Sequence, residues 1–194
     1  KAIDLAEEAR ARINRIAGVR CLGAGQVEGW GGFRLDVTKL TISVKGIGLT
    51  GYAASALLNT EFGIQVEMAD LYNVLVIVSI GDRRDDLDRL VAGLEGLARR
   101  ASGREARVAD ISAVPPVQET ELACPPRQAY FAPHTSVPLS QAAGRVSADI
   151  VTIYPPGIPI LVPGEAVSRT AVEYLQSLGA RGARIDGVVD AAGG

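Results

Sequence analysis

Tyr154 and Glu165 bracket the most constrained segment of the chain, Tyr154-Pro-Pro-Gly-Ile-Pro-Ile-Leu-Val-Pro-Gly-Glu165. Four of its twelve residues are proline and two are glycine. Each proline fixes φ and removes a backbone donor, which excludes helix and a central strand. The segment is expected to run extended and stiff, with a phenol at one end and a carboxylate at the other. Such rigidity suits side chains that must be placed precisely to bind or to carry charge. It equally suits a plain structural crossover.

Other reactive residue types are sparse. Gly46-Ile-Gly48-Leu-Thr-Gly51 spells G-x-G-x-x-G between an expected strand and an expected helix. Glu67 and Asp70 follow about 20 residues on, where a dinucleotide site would hold a ribose. The next connection argues against that chemistry. The expected strands 64–68 and 74–80 are separated by five residues. Five residues allow an antiparallel hairpin, whereas a parallel crossover needs a dozen or more. These glycines therefore read as a tight strand-to-helix entry, with Gly51 allowing close packing. Gly23-Ala-Gly25 precedes no helical pattern and reads as a flexible turn. His134 is the single histidine and has no Cys or acidic neighbours to complete a metal site. It reads as a structural or interface residue, and no metal is expected. Ser136, Ser140 and Ser147 lack the context of a nucleophile elbow. Cys21 and Cys124 lie far apart without metal-ligand spacing and read as reduced thiols of a cytoplasmic protein.

The elements that must position these groups follow from periodicity. Residues 2–17 place Ile3, Ala6, Ala9, Ile13 and Ile16 on one helical face, with acids early and arginines late. A glycine-rich stretch, 23–32, breaks structure; 34–45 alternates as a strand; Thr50 caps a helix to about Phe62. Strands are expected at 64–68 and 74–80. A helix beginning near Gly81-Asp82 then buries Leu87, Leu90, Val91, Leu94 and Leu97. The order is α-β-α-β-β-α over a domain of residues 1–110. Residues 111–127, with Pro115-Pro116 and Pro125-Pro126, read as a linker. Residues 128–194 form a smaller α+β domain with strands at 146–154 and 184–185, a short extended element at 158–162 and a helix at 168–178. The tail 190–194 is expected to fray.

Composition narrows the function classes. The 194 residues are 47% hydrophobic and 22% charged, with a net charge of −2. That is a folded, core-forming chain. No basic stripe favours nucleic acid or an anionic membrane surface, and no apolar run reaches the roughly 20 residues of a membrane span.

The proline segment, together with Thr38-Lys-Leu-Thr-Ile42 through Gly48-Leu-Thr-Gly51 and Gln65-Val-Glu-Met-Ala-Asp-Leu-Tyr-Asn-Val-Leu-Val-Ile-Val-Ser-Ile-Gly-Asp82, resembles the pyridoxal-phosphate-dependent ornithine/lysine/arginine decarboxylases. The likeness covers most of residues 1–185 in order and is nearest to the short bacterial arginine-decarboxylase branch. It implies an α/β (α+β) chain: a fold-type-I small domain, its mixed or antiparallel sheet backed by helices, followed by a small C-terminal domain. It also implies a piece of a chain roughly twice as long, whose cofactor-binding domain lies upstream.

The implied chemistry is decarboxylation of a basic amino acid, arginine first, with lysine or ornithine as the alternative. The implied cofactor is pyridoxal phosphate, held mainly outside this chain. The family's imine lysine follows a histidine, and no His-Lys pair occurs among Lys1, Lys39 and Lys45. No catalytic residue is therefore expected here, and this piece alone should be inactive. What it can supply is a partner for the substrate's distal cation, which needs carboxylates. Glu165 and Asp70 are the candidates, and Tyr154 can add a hydroxyl. Against these stand simpler roles: Asp70 as a turn or cap residue, Glu165 as a favourable charge before helix 168–178. The resemblance further implies a homodimer or higher oligomer in the cytoplasm. A non-catalytic binding module on the same fold is the reading from a different class.

Overall fold

The computed structural model describes residues 1–29, 34–101 and 120–188. Trp30, residues 111–119 of the expected linker and the tail 190–194 lie outside them. The chain divides into two compact units, Lys1–Ala109 and Asp110–Gly194.

The first unit is a four-stranded sheet backed by helices. Its strands are β1 (Arg20–Cys21), β2 (Lys39–Ser43), β3 (Met68–Ala69) and β4 (Asn73–Ile77). They lie in the order β1-β2-β4-β3, every pair antiparallel. Along β2, Leu40 and Ile42 are buried while Lys39, Thr41 and Ser43 are not, the period of a sheet with one face on a core. That core is completed by helices α1 (Ala2–Ile13), α3 (Gly51–Phe62) and α4 (Arg84–Ala101). The expected stripe of α4 is buried as read: Leu87, Leu90, Val91, Leu94 and Leu97. Arg12 pairs with Asp88 and Glu8 with Arg84 between α1 and α4, and Glu61 pairs with Arg100 between α3 and α4.

Several local readings change. The glycine-rich stretch holds a short helix, α2 (Ala24–Glu28), where a flexible turn is expected. Its start is fixed by the Gln26 side chain, which accepts from the Gly23 N–H at 2.8 Å. Strand β1 is also additional; its two residues pair with Ser43 and Ile42. The strands expected at 34–45, 64–68 and 74–80 shorten to 39–43, 68–69 and 73–77. The two ends of the connection from β1 to β2 are fastened by Arg10 on α1. Its guanidinium donates to the carbonyls of Leu22 at 2.8 Å, Val37 at 2.9 Å and Lys39 at 3.3 Å.

The G-x-G-x-x-G stretch is structural. Thr50 caps α3, its hydroxyl accepting from the Ala53 N–H at 3.1 Å. The Gly51 N–H donates to Leu71 O at 3.0 Å. A Cβ on Gly51 would overlap the carbonyl oxygens of Asp70 and Asn73, so glycine is required for the close approach of α3 to the β3–β4 turn. The helix donors a phosphate would need are thus already used, and the sheet is antiparallel.

Cys21 is 3% exposed, and burial pushes its thiol up against the opposing pull of the Arg10 guanidinium. A thiol raised in the folded state holds its proton longer than in the unfolded chain. The stability it contributes is complete below the ordinary thiol range and is lost as pH rises through the higher folded value. Urea unfolding of the wild type between pH 7 and 10 is therefore expected to show an alkaline loss that Cys21→Ala reduces. Identical alkaline slopes for the two proteins would contradict it.

The second unit carries a three-stranded sheet, β5 (Val151–Tyr154), β6 (Ile158–Leu161) and β7 (Arg184–Asp186), ordered β6-β5-β7 and antiparallel throughout. Helix α6 (Arg169–Gly179) begins at Ser168, whose hydroxyl accepts from the Ala171 N–H at 3.0 Å. It buries Ala171, Val172, Leu175 and Leu178, which pack in this unit with the buried Val151, Ile153 and Leu161 of the sheet and with Val167 just before the helix. The proline segment does not run extended throughout. Pro155-Pro156-Gly157 is a turn, with the Gly157 N–H donating to Ile153 O at 2.8 Å, and the chain folds back as hairpin β5–β6. Pro159 fits because β6 is an edge strand. Helix α5 (Pro126–Phe131) begins in the stretch expected as linker, and the strand expected from 146 begins only at Val151.

Candidate functional site

Glu165 closes a four-residue turn, Val162-Pro163-Gly164-Glu165. Proline at the second position and a positive-φ glycine at the third (φ +94°) is the composition of a type II turn. The Glu165 N–H donates to Val162 O at 3.2 Å. Its carboxylate reaches back as well, Oε2 accepting from the Val162 N–H at 2.8 Å. The residue is half-buried, and among the described residues no cation pairs with it.

The turn is gripped from both sides by chain distant in sequence. On one side Leu122 bridges Glu165, the Ala123 N–H donates to Gly164 O at 2.8 Å, and the Ala166 N–H donates to Glu121 O at 2.8 Å. On the other, Gly164 N–H donates to Ser147 O at 2.8 Å, Ser147 N–H to Glu165 O at 2.9 Å, and Val167 N–H to Arg145 O at 2.8 Å. A Cβ on Gly164 would overlap the Cys124 carbonyl oxygen. The Glu165 main chain is therefore fixed by two segments, and one carboxylate oxygen is committed to the turn. A carboxylate has about four lone-pair sites, so it retains acceptor capacity for an incoming N–H group.

Tyr154 ends β5 and is 53% exposed. The Arg184 guanidinium lies 5.9 Å from its ring centroid, and Arg184 Nε donates to Asp186 Oδ1 at 2.9 Å. Tyr154 sits at the tip of the hairpin, whereas Glu165 follows β6 at the other end, where Leu161 pairs with Val151. About three residues of strand, roughly 10 Å, separate these ends. The two side chains share a unit and not a single contact point.

Asp70 belongs to the first unit. Its Oδ1 accepts from the backbone N–H groups of Tyr72 at 2.8 Å and Asn73 at 2.7 Å, and the Asn73 amide donates to both oxygens at 3.0 Å. The carboxylate builds the β3–β4 turn and stays exposed, with capacity left on Oδ2.

The three lysines are engaged at the surface. Lys1 Nζ donates to Ile80 O at 3.3 Å, Lys39 pairs with Asp36 at 3.6 Å, and Lys45 Nζ lies 4.7 Å from the Tyr72 ring centroid. Among the described residues no His, Cys, Asp and Glu gather as metal ligands.

Sequence reasoning missed a cleft of about 540 Å³ in the second unit. Its walls include Ala129, Ala132, Pro133, Val146, Val151 and Leu161, with His134 and Cys124 also on the lining. The signal available was the long run without charge that begins at Gln128.

Residues 117–191 match the family described as Orn/Lys/Arg decarboxylase, C-terminal domain. The chain is 39% identical over 173 residues to an arginine decarboxylase of Bacillus subtilis, covering 89% of this chain and 35% of that protein. It is 39% identical over 188 residues to an arginine decarboxylase of Halalkalibacterium halodurans, covering 97% of this chain and 38% of that protein. The constitutive lysine decarboxylase of Escherichia coli shares the fold, with a TM-score of 0.71 at 23% identity over 99% of this chain and 39% of that one. The chain thus spans little more than a third of the length of the relatives it matches.

Proposed function

The chain carries the C-terminal domain of the Orn/Lys/Arg decarboxylase family, residues 117–191, and from that premise we propose that it is the C-terminal part of a decarboxylase of a basic amino acid, arginine first. The observation that carries the proposal is the 39% identity to an arginine decarboxylase over 97% of this chain. The lysine decarboxylases that share its fold keep lysine as the alternative substrate.

The part assigned to these residues is recognition of the substrate's far end. A guanidinium is planar and presents paired donors to a carboxylate. Glu165 supplies that carboxylate, held by a turn that the segments 121–124 and 144–147 prevent from relaxing. Tyr154 offers a hydroxyl from the hairpin tip, and Asp70 a second acidic group through Oδ2. Pyridoxal phosphate is the proposed cofactor. The residues described here do not fit it, since each lysine is engaged elsewhere, so its attachment is assigned to the part of the protein outside this match. The working protein is proposed to be a cytoplasmic homodimer or higher oligomer. No helix among the described residues is long and apolar enough to cross a membrane.

The test is carbon dioxide release from arginine, lysine and ornithine by the full-length protein with pyridoxal phosphate, the 194-residue chain serving as control. Release by the full-length protein alone, fastest with arginine, is the expected result. Release from none of the three would overturn the proposal and leave a binding module on a decarboxylase fold.

A further inference from the structure

The run Gln128–Gly144 holds seventeen residues without an Asp, Glu, Lys or Arg. By the chain's own 22% charge a stretch of that length would carry about four charges. Within it, residues 132–138 are mostly exposed and form neither helix nor strand. Among the described residues, none of the amides from His134 to Val137 has a backbone partner, and neither has any carbonyl from Pro133 to Val137. The run contributes much of the wall of the 540 Å³ cleft. Large apolar side chains accompany it in sequence: Tyr130 is 56% and Phe131 71% exposed, their rings 5.1 Å apart edge to face. Leu122 and Val146, on the two segments that grip Glu165, are also exposed.

A loop that lives in water needs none of this. Solvated loops use charge and polar side chains, whereas uncharged exposed main chain beside apolar side chains is the composition of an interface core. Main chain with unpaired donors and acceptors is also a template for a strand from elsewhere. The occupant is indicated by length. The curated relatives are covered over 35% and 38% of their length, so the larger part of each lies outside these residues.

We propose that the uncharged strap 128–144 and its cleft are the surface on which the remaining, cofactor-binding part of the same protein seats, adding main-chain hydrogen bonds to residues 134–137 and apolar side chains to the cleft. The proposal rests on the reading of this chain as part of a longer decarboxylase. It adds a structural consequence: the strap lies between the two segments that hold Glu165, so seating there would link cofactor and substrate-recognition parts through the main chain of residues 144–147.

Amide hydrogen exchange tests it, comparing the full-length protein with the 194-residue chain. At low concentration His134, Thr135, Ser136 and Val137 are expected to exchange freely in the shorter chain. In the full-length protein they are expected to slow by 100-fold or more, independent of dilution. Equal fast exchange in both would overturn the proposal and leave a solvated loop. Slow exchange in the shorter chain that disappears on dilution would also overturn it, in favour of a second copy as occupant. A second measurement uses Thr135→Glu. It is expected to leave melting of the 194-residue chain unchanged while speeding exchange at 134–137 in the full-length protein, and unchanged exchange there would count against the proposal. Because the readout is exchange, it stands apart from carbon dioxide release. Protection without decarboxylation would keep the seating and overturn the activity; decarboxylation without protection would do the reverse.

Discussion

Gly164→Ala is expected to destabilise the second unit by about 3–4 kcal/mol, near the upper end for a single substitution. Two costs combine. An L-residue at φ +94° is strained by about 1–2 kcal/mol. The new Cβ would also overlap Cys124 O, which is main chain and cannot swing aside. Moving it disturbs the bonds from Ala123 and Cys124 N–H to Gly164 O and those joining Gly164 and Glu165 to Ser147. Gly157→Ala provides the comparison. It has a similar φ of +88°, but its Cβ would meet only the Tyr154 ring at 3.4 Å, so it should cost about 1–2 kcal/mol. Thermal unfolding of both variants, with amide exchange at Ala123, Ser147 and Ala166, measures the difference. Equal stability of the two variants would show that the packing around Gly164 is not what fixes the turn.

Glu165→Gln in the full-length protein is expected to lower kcat/KM for the basic substrate by about 10- to 150-fold, the 1.5–3 kcal/mol of a hydrogen bond to a charged group. Glutamine keeps an oxygen that can accept from the Val162 N–H, so melting should move by no more than about 0.5 kcal/mol. Glu165→Ala also removes that acceptor and should cost about 1–2 kcal/mol of stability in addition. The pair separates recognition from support of the turn. Unchanged kcat/KM in the glutamine variant would reduce Glu165 to the turn residue its Oε2 contact already makes it.

The parts of the structure legible in the sequence are those whose causes lie within one or two turns of chain. Thr50 is readable as a cap because a hydroxyl must meet an N–H three residues on, and it does; Ser168, the first residue of the expected helix 168–178, caps α6 in the same way. The α4 stripe was readable because its period is local. The five-residue gap after Met68 excluded a parallel crossover, and β3 and β4 are antiparallel. Features decided by distant chain were not readable. Strand β1 is two residues long and exists through its pairing with Ser43 and Ile42. Helix α2 starts with a glutamine capping a glycine, and Gly23, Gly25 and Gly29 mask its five residues in the sequence. The prolines of Pro155-Pro156-Gly157 imply stiff extension, although Pro-Gly is also a turn signal; the strand pairing of Ile153 with Ile158 selects the turn. Tyr154 and Glu165 were identifiable as the ends of that segment. The grip on Glu165 by residues 121–124 and 144–147 was not, because nothing near Glu165 in sequence records it.

The edges of the two sheets bear on how this polypeptide behaves when concentrated. The first sheet ends in two-residue strands, β1 and β3, and one edge of the second carries Pro159, which has no N–H to offer. Short or proline-bearing edges give a neighbouring chain little to zip onto, the usual guard against fibrous aggregation. The strap at residues 134–137 has no such guard. Loss of solubility in the 194-residue chain should therefore begin there, and a charge placed on the strap should keep the chain in solution longer than the same charge placed on either sheet edge.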